Sequence, residues 1–164
     1  MKSVNLKFLS YCLMLCCVII LTACPYSSEY PIEPTGVKIK KDLLGKWTKD
    51  SGENPPFFTF SKKDDTKYDV TKNEWDSDKK SYSNKTEYIG HISEIGGTMF
   101  LNMFSDSKYY FYKLEMSGSE LKLYEVTDNI DEQFTNSNDL KNFFAKHKDF
   151  SFFYNKDEET YKKN

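Results

Sequence analysis

The 164-residue chain contains no arginine; all 23 of its basic residues are lysine. Bidentate recognition of phosphate or carboxylate is normally arginine work. Its absence, with a formal net charge of −2, makes nucleic acid a poor candidate partner. Cysteine is missing beyond position 24, since Cys12, Cys16, Cys17 and Cys24 all lie in the first 24 residues. The rest of the chain has no disulfide, no thiol ligand and no cysteine nucleophile, so packing must supply its stability. The only histidines are His91 and His147, and neither has a cysteine or second histidine nearby in sequence. No metal and no cofactor is expected from them. Asp76, Asp78, Asn84 and Glu87 fall at calcium-loop offsets, but Lys80 occupies a ligand position and Ser81 stands where the loop needs glycine. There is no Gly-x-Ser-x-Gly and no glycine-rich loop before a helix, so the expectation is a protein that is not an enzyme.

Long hydrophobic runs are also scarce. The one that exists, Phe8 to Ala23, is interrupted only by Ser10 and Thr22 and comes after Lys2 and Lys7. Roughly 20 apolar residues span a bilayer, so this run is short for a stable anchor and suits a signal-peptide core. It leads into Leu21-Thr22-Ala23-Cys24, which resembles the lipobox of bacterial lipoproteins. The resemblance implies a diacylglycerol on the Cys24 thiol, cleavage after Ala23 and acylation of the new amino group. Two or more acyl chains hold a protein firmly, at about 0.8 kcal/mol per buried methylene. The implied location is the cell envelope, at the outer membrane, with the bilayer as partner through the lipid. From Cys24 onward 21 lysines face 25 acids, a net charge of about −4.

Aromatic residues are plentiful, with 13 Phe and 12 Tyr, and could fill a core. The organisation expected is a signal peptide at 1–23, the lipidated cysteine and a flexible tether at 24–41, one folded domain at 42–154 and a charged, frayed tail at 155–164. The tether reading rests on Pro25, Pro31 and Pro34 among polar residues. Ser28-Glu29 resembles the short acidic signals of some Bacteroidetes surface lipoproteins, although an ordinary polar linker is the simpler reading.

Strands are expected at 57–61 and 67–72, with a polar loop or frayed hairpin over 73–85. The segments 86–95 and 98–104 flank Gly96-Gly97, a strong hairpin signal. The segments 108–116 and 120–127 flank Gly118-Ser119, which fits a type II′ turn. That register sets Met116 opposite Leu121, Leu114 opposite Leu123 and Glu115 opposite Lys122; a slip by one residue would set Glu115 against Leu121. Ser137 or Asn138 is expected to cap a helix running to His147, with Leu140, Phe143, Phe144 and His147 on one stripe. A last strand is expected at 150–154.

Gly45-Lys46-Trp47 just before the first strand resembles the opening motif of lipocalins, whose glycine permits a tight approach and whose tryptophan closes one end of the barrel. The arginine that lipocalins often set against that tryptophan has no counterpart. The order of elements also resembles the lipocalin (calycin) plan. It implies a mainly β fold, an antiparallel meander forming a lipocalin-like β-barrel with one C-terminal α-helix and a short final strand. The LLGKW and YYFYKLEM stretches further resemble small Bacteroidetes lipoproteins. In such a barrel Tyr110, Tyr112, Leu114 and Met116, joined by Leu121 and Leu123, would face inward and line a site for a small apolar or amphipathic ligand. The other expectation, from a different class, is an envelope interaction or structural module with a filled core and no ligand.

Overall fold

The computed structural model describes residues 25–127, 130, 132–155 and 158–164; the signal-peptide segment and Cys24 lie outside the described residues. Nine strands occur among them: β1 (Ser27–Ser28), β2 (Gly45–Lys49), β3 (Phe57–Lys62), β4 (Lys67–Asp76), β5 (Ser81–Ile95), β6 (Thr98–Ser105), β7 (Lys108–Ser117), β8 (Glu120–Glu125) and β9 (Glu159–Lys163). Strands β2 to β8 form an antiparallel meander, and β9 inserts between β8 and β2 to close an eight-stranded, lipocalin-like barrel; β1 adds two residues to β7. Closure leaves no free edge in the ring.

Alternation sorts the side chains. Trp47, Phe58, Phe60, Tyr68, Val70, Leu101, Met103, Leu114, Leu121, Leu123 and Tyr161 fill the inside. Helix α1 (Ser137–His147) packs Leu140 and Phe144 on a second, outer core with Phe100, Phe111 and Phe153. Phe144 meets Phe100 and Phe111 at ring distances of 5.2 Å. Strands β6 and β7 are therefore apolar on both faces because both faces are covered. Asn136 caps the helix by accepting from the Asp139 N–H at 2.9 Å, one residue earlier than the sequence suggested.

The predicted hairpin register holds, with Met116 opposite Leu121, Leu114 opposite Leu123 and Glu115 opposite Lys122. Gly118 has φ of +58°. Three expectations are corrected. Of the two readings of 73–85 the structure takes the hairpin, but a paired one: β4 and β5 stay paired almost to its tip, with a bulge between Glu74 and Asp76, because Trp75, Tyr82 and Phe57 pack edge to face there. The last strand is not 150–154. That segment is a 3-10 turn at Ser151–Phe153 that buries Phe153 against Phe144, with ring centroids 5.0 Å apart. The closing strand comes from the supposed frayed tail. Charged residues disguise it, but Tyr161 points inward and is fully buried, while two neighbouring strands pair with its backbone.

The third correction concerns the tether. From Pro25 onward it is a strap bound to the barrel. Pro25 bridges Thr127, and the Tyr26 N–H donates to the Val126 carbonyl at 2.9 Å. The strap then crosses the outer face. The Ile32 N–H donates to Asn102 Oδ1 at 2.9 Å, the Val37 N–H to the Ile92 carbonyl at 2.8 Å, and the Lys40 N–H to the Tyr68 hydroxyl at 2.6 Å. Polar-looking composition misled because Tyr26 and Ile32 carry its burial. A Cβ on Gly36 would lie 2.9 Å from the Ile92 carbonyl oxygen, so only glycine lets the strap come this close.

Candidate ligand site in the barrel mouth

One end of the barrel is shut. A 3-10 turn at Lys41–Leu43 buries Leu43, whose carbonyl accepts from the Trp47 indole N–H at 2.7 Å. Gly45 has φ of +117°, a conformation side chains resist, and it turns the chain into β2. The cation missing from the arginine-free sequence is supplied by Lys163, whose Nζ lies 5.2 Å from the Trp47 ring centre and donates to the Asp42 carbonyl. Gly45 and Trp47 thus lie where the start of β2 meets the end of β9, with Trp47 opposite Lys163.

The inner face of β7 carries Tyr110, Tyr112, Leu114 and Met116 in that order toward the shut end. Leu114, Leu121 and Leu123 are 2%, 0% and 0% exposed, and Met103 and Leu101 are fully buried beside them. A void wide enough for water would show as exposed surface on its lining, so the lower lumen is packed solid. Met116 and Tyr112 are half-buried against the same cluster, and Tyr110 is half-buried near the other end. The six residues do share one lumen, but only the tyrosines lie where the barrel is not filled.

Above that apolar floor sits a set of groups that alternation alone did not single out. Continuing the inward positions past Trp47, Val70, Leu123 and Tyr161 reaches Lys49, Lys72 with Glu74, Glu125 and Glu159. Lys49 pairs with Glu159 at 2.6 Å and Lys72 with Glu74 at 2.8 Å. The Tyr161 hydroxyl donates to Glu159 at 2.7 Å and the Tyr112 hydroxyl to Glu125 at 2.9 Å; Asn155 also donates to Glu125, at 2.6 Å. The side chains of Lys49, Lys72 and Glu159 remain about one-third exposed, at 30%, 30% and 33%, so solvent reaches this end.

The electrostatics favour the charged forms of Lys72 and Glu159. Burial works against the Lys72 ammonium, but its hydrogen bond to Glu74 and the charges of Glu74 and Glu159 outweigh that and raise its pKa. Burial likewise works against the Glu159 carboxylate. Hydrogen bonds from Lys49 and Tyr161, with the charges of Lys49 and Lys72, outweigh it and lower its pKa. Burial, then the Glu125 charge, pushes the Tyr112 hydroxyl well above its usual range, and burial raises Tyr88. The mouth thus presents the Lys49–Glu159 and Lys72–Glu74 pairs, Glu125 and the raised phenols of Tyr88 and Tyr112 above the apolar packing. That arrangement can orient an amphipathic molecule; it offers no activated nucleophile.

The missed residues had a readable signal in Lys72, Glu74 and Glu125, which extend the inward parity of recognised strands. Lys49 and Glu159 needed the partner strand. The calcium-loop residues do not converge. Asp76 instead caps its own turn, accepting from the Asp78 and Lys79 amides and the Ser83 hydroxyl; the Lys79 amide, the Lys79 ammonium and the Ser83 hydroxyl lower its pKa to about 2. Among the described residues no three His, Cys, Asp or Glu side chains gather as a metal site. A groove of about 480 Å³ lies on the outer face of β4 to β6, between Lys63, Asp69, Thr71, Glu87, Ile89 and Phe104, without a convergent polar set. No family model matches the chain, and no curated protein or solved structure matches it.

Proposed function

We propose that this is a lipid-anchored envelope protein, held at the outer membrane by acyl chains on Cys24, whose barrel mouth binds a small amphipathic ligand. The observation that carries the binding reading is the convergence of Tyr88, Tyr110 and Tyr112 with Lys72 and Glu159 above the apolar floor. A ligand would set its apolar part against the half-buried rings of Tyr88, Tyr110 and Tyr112, above the packed Met103 and Leu123, and its polar group among the phenol hydroxyls, Lys72 and Glu159. With Leu121 and Leu123 fully buried, it sits shallow.

The competing reading is an interaction module with a filled barrel, and the solid packing below Tyr112 favours it. The two separate on one experiment. The chain from residue 24 onward, made without residues 1–23 and with Cys24→Ala so that it carries no lipid, is purified from cells, its organic extract is analysed by mass spectrometry, and a fluorescent fatty acid is titrated against it. Co-purifying ligand, or probe binding that weakens in Tyr112→Phe, supports the binding reading. No extractable ligand and no probe binding below about 100 μM, a free energy weaker than about −5.5 kcal/mol, leaves the interaction module. The anchor has its own test. Cys24→Ala should accumulate as uncleaved precursor without fatty-acid label, and retained label in that variant would refute lipidation at Cys24.

A further inference from the structure

We infer that the exposed Phe150–Phe152 pair is a membrane-docking patch, which lays the barrel against the same bilayer that holds its lipid; this rests on the reading of Cys24 as the lipidated residue. Phe150 and Phe152 are 48% and 61% exposed, the most exposed large apolar side chains among the described residues. Their rings stack 5.4 Å apart at an angle of 12°, and the His147 ring lies 6.0 and 6.5 Å from them. The two rings form a contiguous exposed apolar contact surface, the kind of feature that marks interaction sites when a partner lies within reach.

The path of the chain identifies that partner. Pro25 directly adjoins Cys24 and bridges Thr127, and the Thr127 N–H donates to the Phe153 carbonyl at 3.2 Å. Paired backbones lie about 5 Å apart, so two such steps place the start of the strap about 10 Å from Phe153. There is no slack in between. Tyr26 is tied to Val126 and its buried ring stacks on Phe111 at 5.9 Å. An acylated Cys24 therefore cannot hold the barrel at a distance. It draws the surface around Pro25 onto the lipid headgroups, and that surface includes the two phenylalanines.

Its charge agrees. Lys146 is exposed near the helix end and Lys148 is bonded to Asp149 at 2.9 Å, so the residues leading into Phe150 carry two lysines against one aspartate. Lysines beside interfacial aromatic rings favour an anionic headgroup layer, with the rings at the level of the acyl boundary. The short path from Cys24 makes the bilayer interface the occupant, and a second copy of the chain is the alternative that the test excludes.

The test uses the mature lipoprotein with its own lipid, its acyl chains confirmed by intact mass, in vesicles of phosphatidylethanolamine and phosphatidylglycerol. In Phe152→Trp the introduced indole should shift to the blue and be quenched by brominated acyl chains, with the parent protein giving the background from Trp47 and Trp75. Without any substitution at the patch, amide exchange over 148–153 should slow by about tenfold or more relative to the same mature chain made without residues 1–23 and with Cys24→Ser, hence unacylated, in buffer. Phe150→Ser with Phe152→Ser should keep the acyl mass and vesicle retention yet lose that protection. An acylated protein with no quenching and unchanged exchange overturns the docking while leaving the anchor intact. Protection that grows with protein concentration without lipid marks a self-association face and also overturns it. A mature protein lacking acyl chains on Cys24 refutes the anchor, and the docking falls with it.

Discussion

Gly118 holds the β7–β8 turn at φ of +58°, and a Cβ placed there would meet nothing within 4 Å. The cost of a side chain is therefore entirely backbone. Gly118→Val should lower stability by more than about 1 kcal/mol, because a β-branched residue resists positive φ. A urea midpoint that does not move would contradict the turn. His91 makes a second residue-level argument. It is 4% exposed, and its Nε2–H donates to the Glu33 carbonyl at 2.8 Å. Burial, reinforced by the charge of Lys67, outweighs the Glu33 bond and charge and lowers its pKa below the ordinary 6.5. Between that lowered value and 6.5 the unfolded chain binds more protons than the folded one. Stability should therefore rise with pH through this window and be lost as pH falls through it. Thermal melts at pH 7.5 and about 5.5 should show the drop, and His91→Asn, which cannot take the proton, should flatten it.

At the scale of elements, the strap and β9 do the unexpected work. Asn102 is fully buried and holds the strap by accepting from Ile32, while its amide donates to Ser93 Oγ at 3.0 Å and the Phe100 carbonyl at 3.2 Å. Asn102→Ala leaves the Ile32 N–H without its partner and should cost about 1–3 kcal/mol. Hydrogen exchange at Ile32 should accelerate more than at β6 itself; equal acceleration would mean the strap is not a separate unit. In β9, Tyr161 is fully buried, with its ring centroid 5.2 Å from that of Phe58. Tyr161→Ala should cost about 3–5 kcal/mol in a denaturant titration. A near-neutral result would show that the barrel does not need its last strand. The hairpins from 86 to 127 were legible because apolar alternation and glycine turns agreed on one register. The strap and β9 were not, because the strap buries only Tyr26, Ser28 and Ile32 among its prolines and β9 only Tyr161 among its charges.

For the whole molecule, the mouth and the shut end divide the labour. The shut end is sealed by Leu43, Trp47 and Lys163, so a ligand entering the barrel must pass between Tyr110, Tyr112 and the Lys72–Glu74 pair. Replacing Lys72 by Met removes the ammonium that the ion pair holds in the mouth but leaves the floor intact. On the ligand-binding reading, probe affinity for an anionic amphiphile should fall several-fold while that for a neutral one changes little. Equal losses, read from parallel fluorescence titrations, would count against a polar group seated at Lys72.

Local rules in the amino-acid order suffice for the turn at Gly118-Ser119, the pairing of Leu114 with Leu123, the helix stripe, the opening pattern at Gly45 and Trp47 and a mainly β meander. Periods of two and 3.6 and positive-φ turns are read within a dozen residues, so they survive without the fold. The strap in place of a tether, the charged tail that closes the ring and the five ionisable side chains at the mouth emerge only once the chain is folded. Each of these depends on residues far apart in sequence, such as Lys49 with Glu159 and Ile32 with Asn102. Closing the barrel brings them within hydrogen-bond reach, and no periodicity in either segment records that its partner will be there.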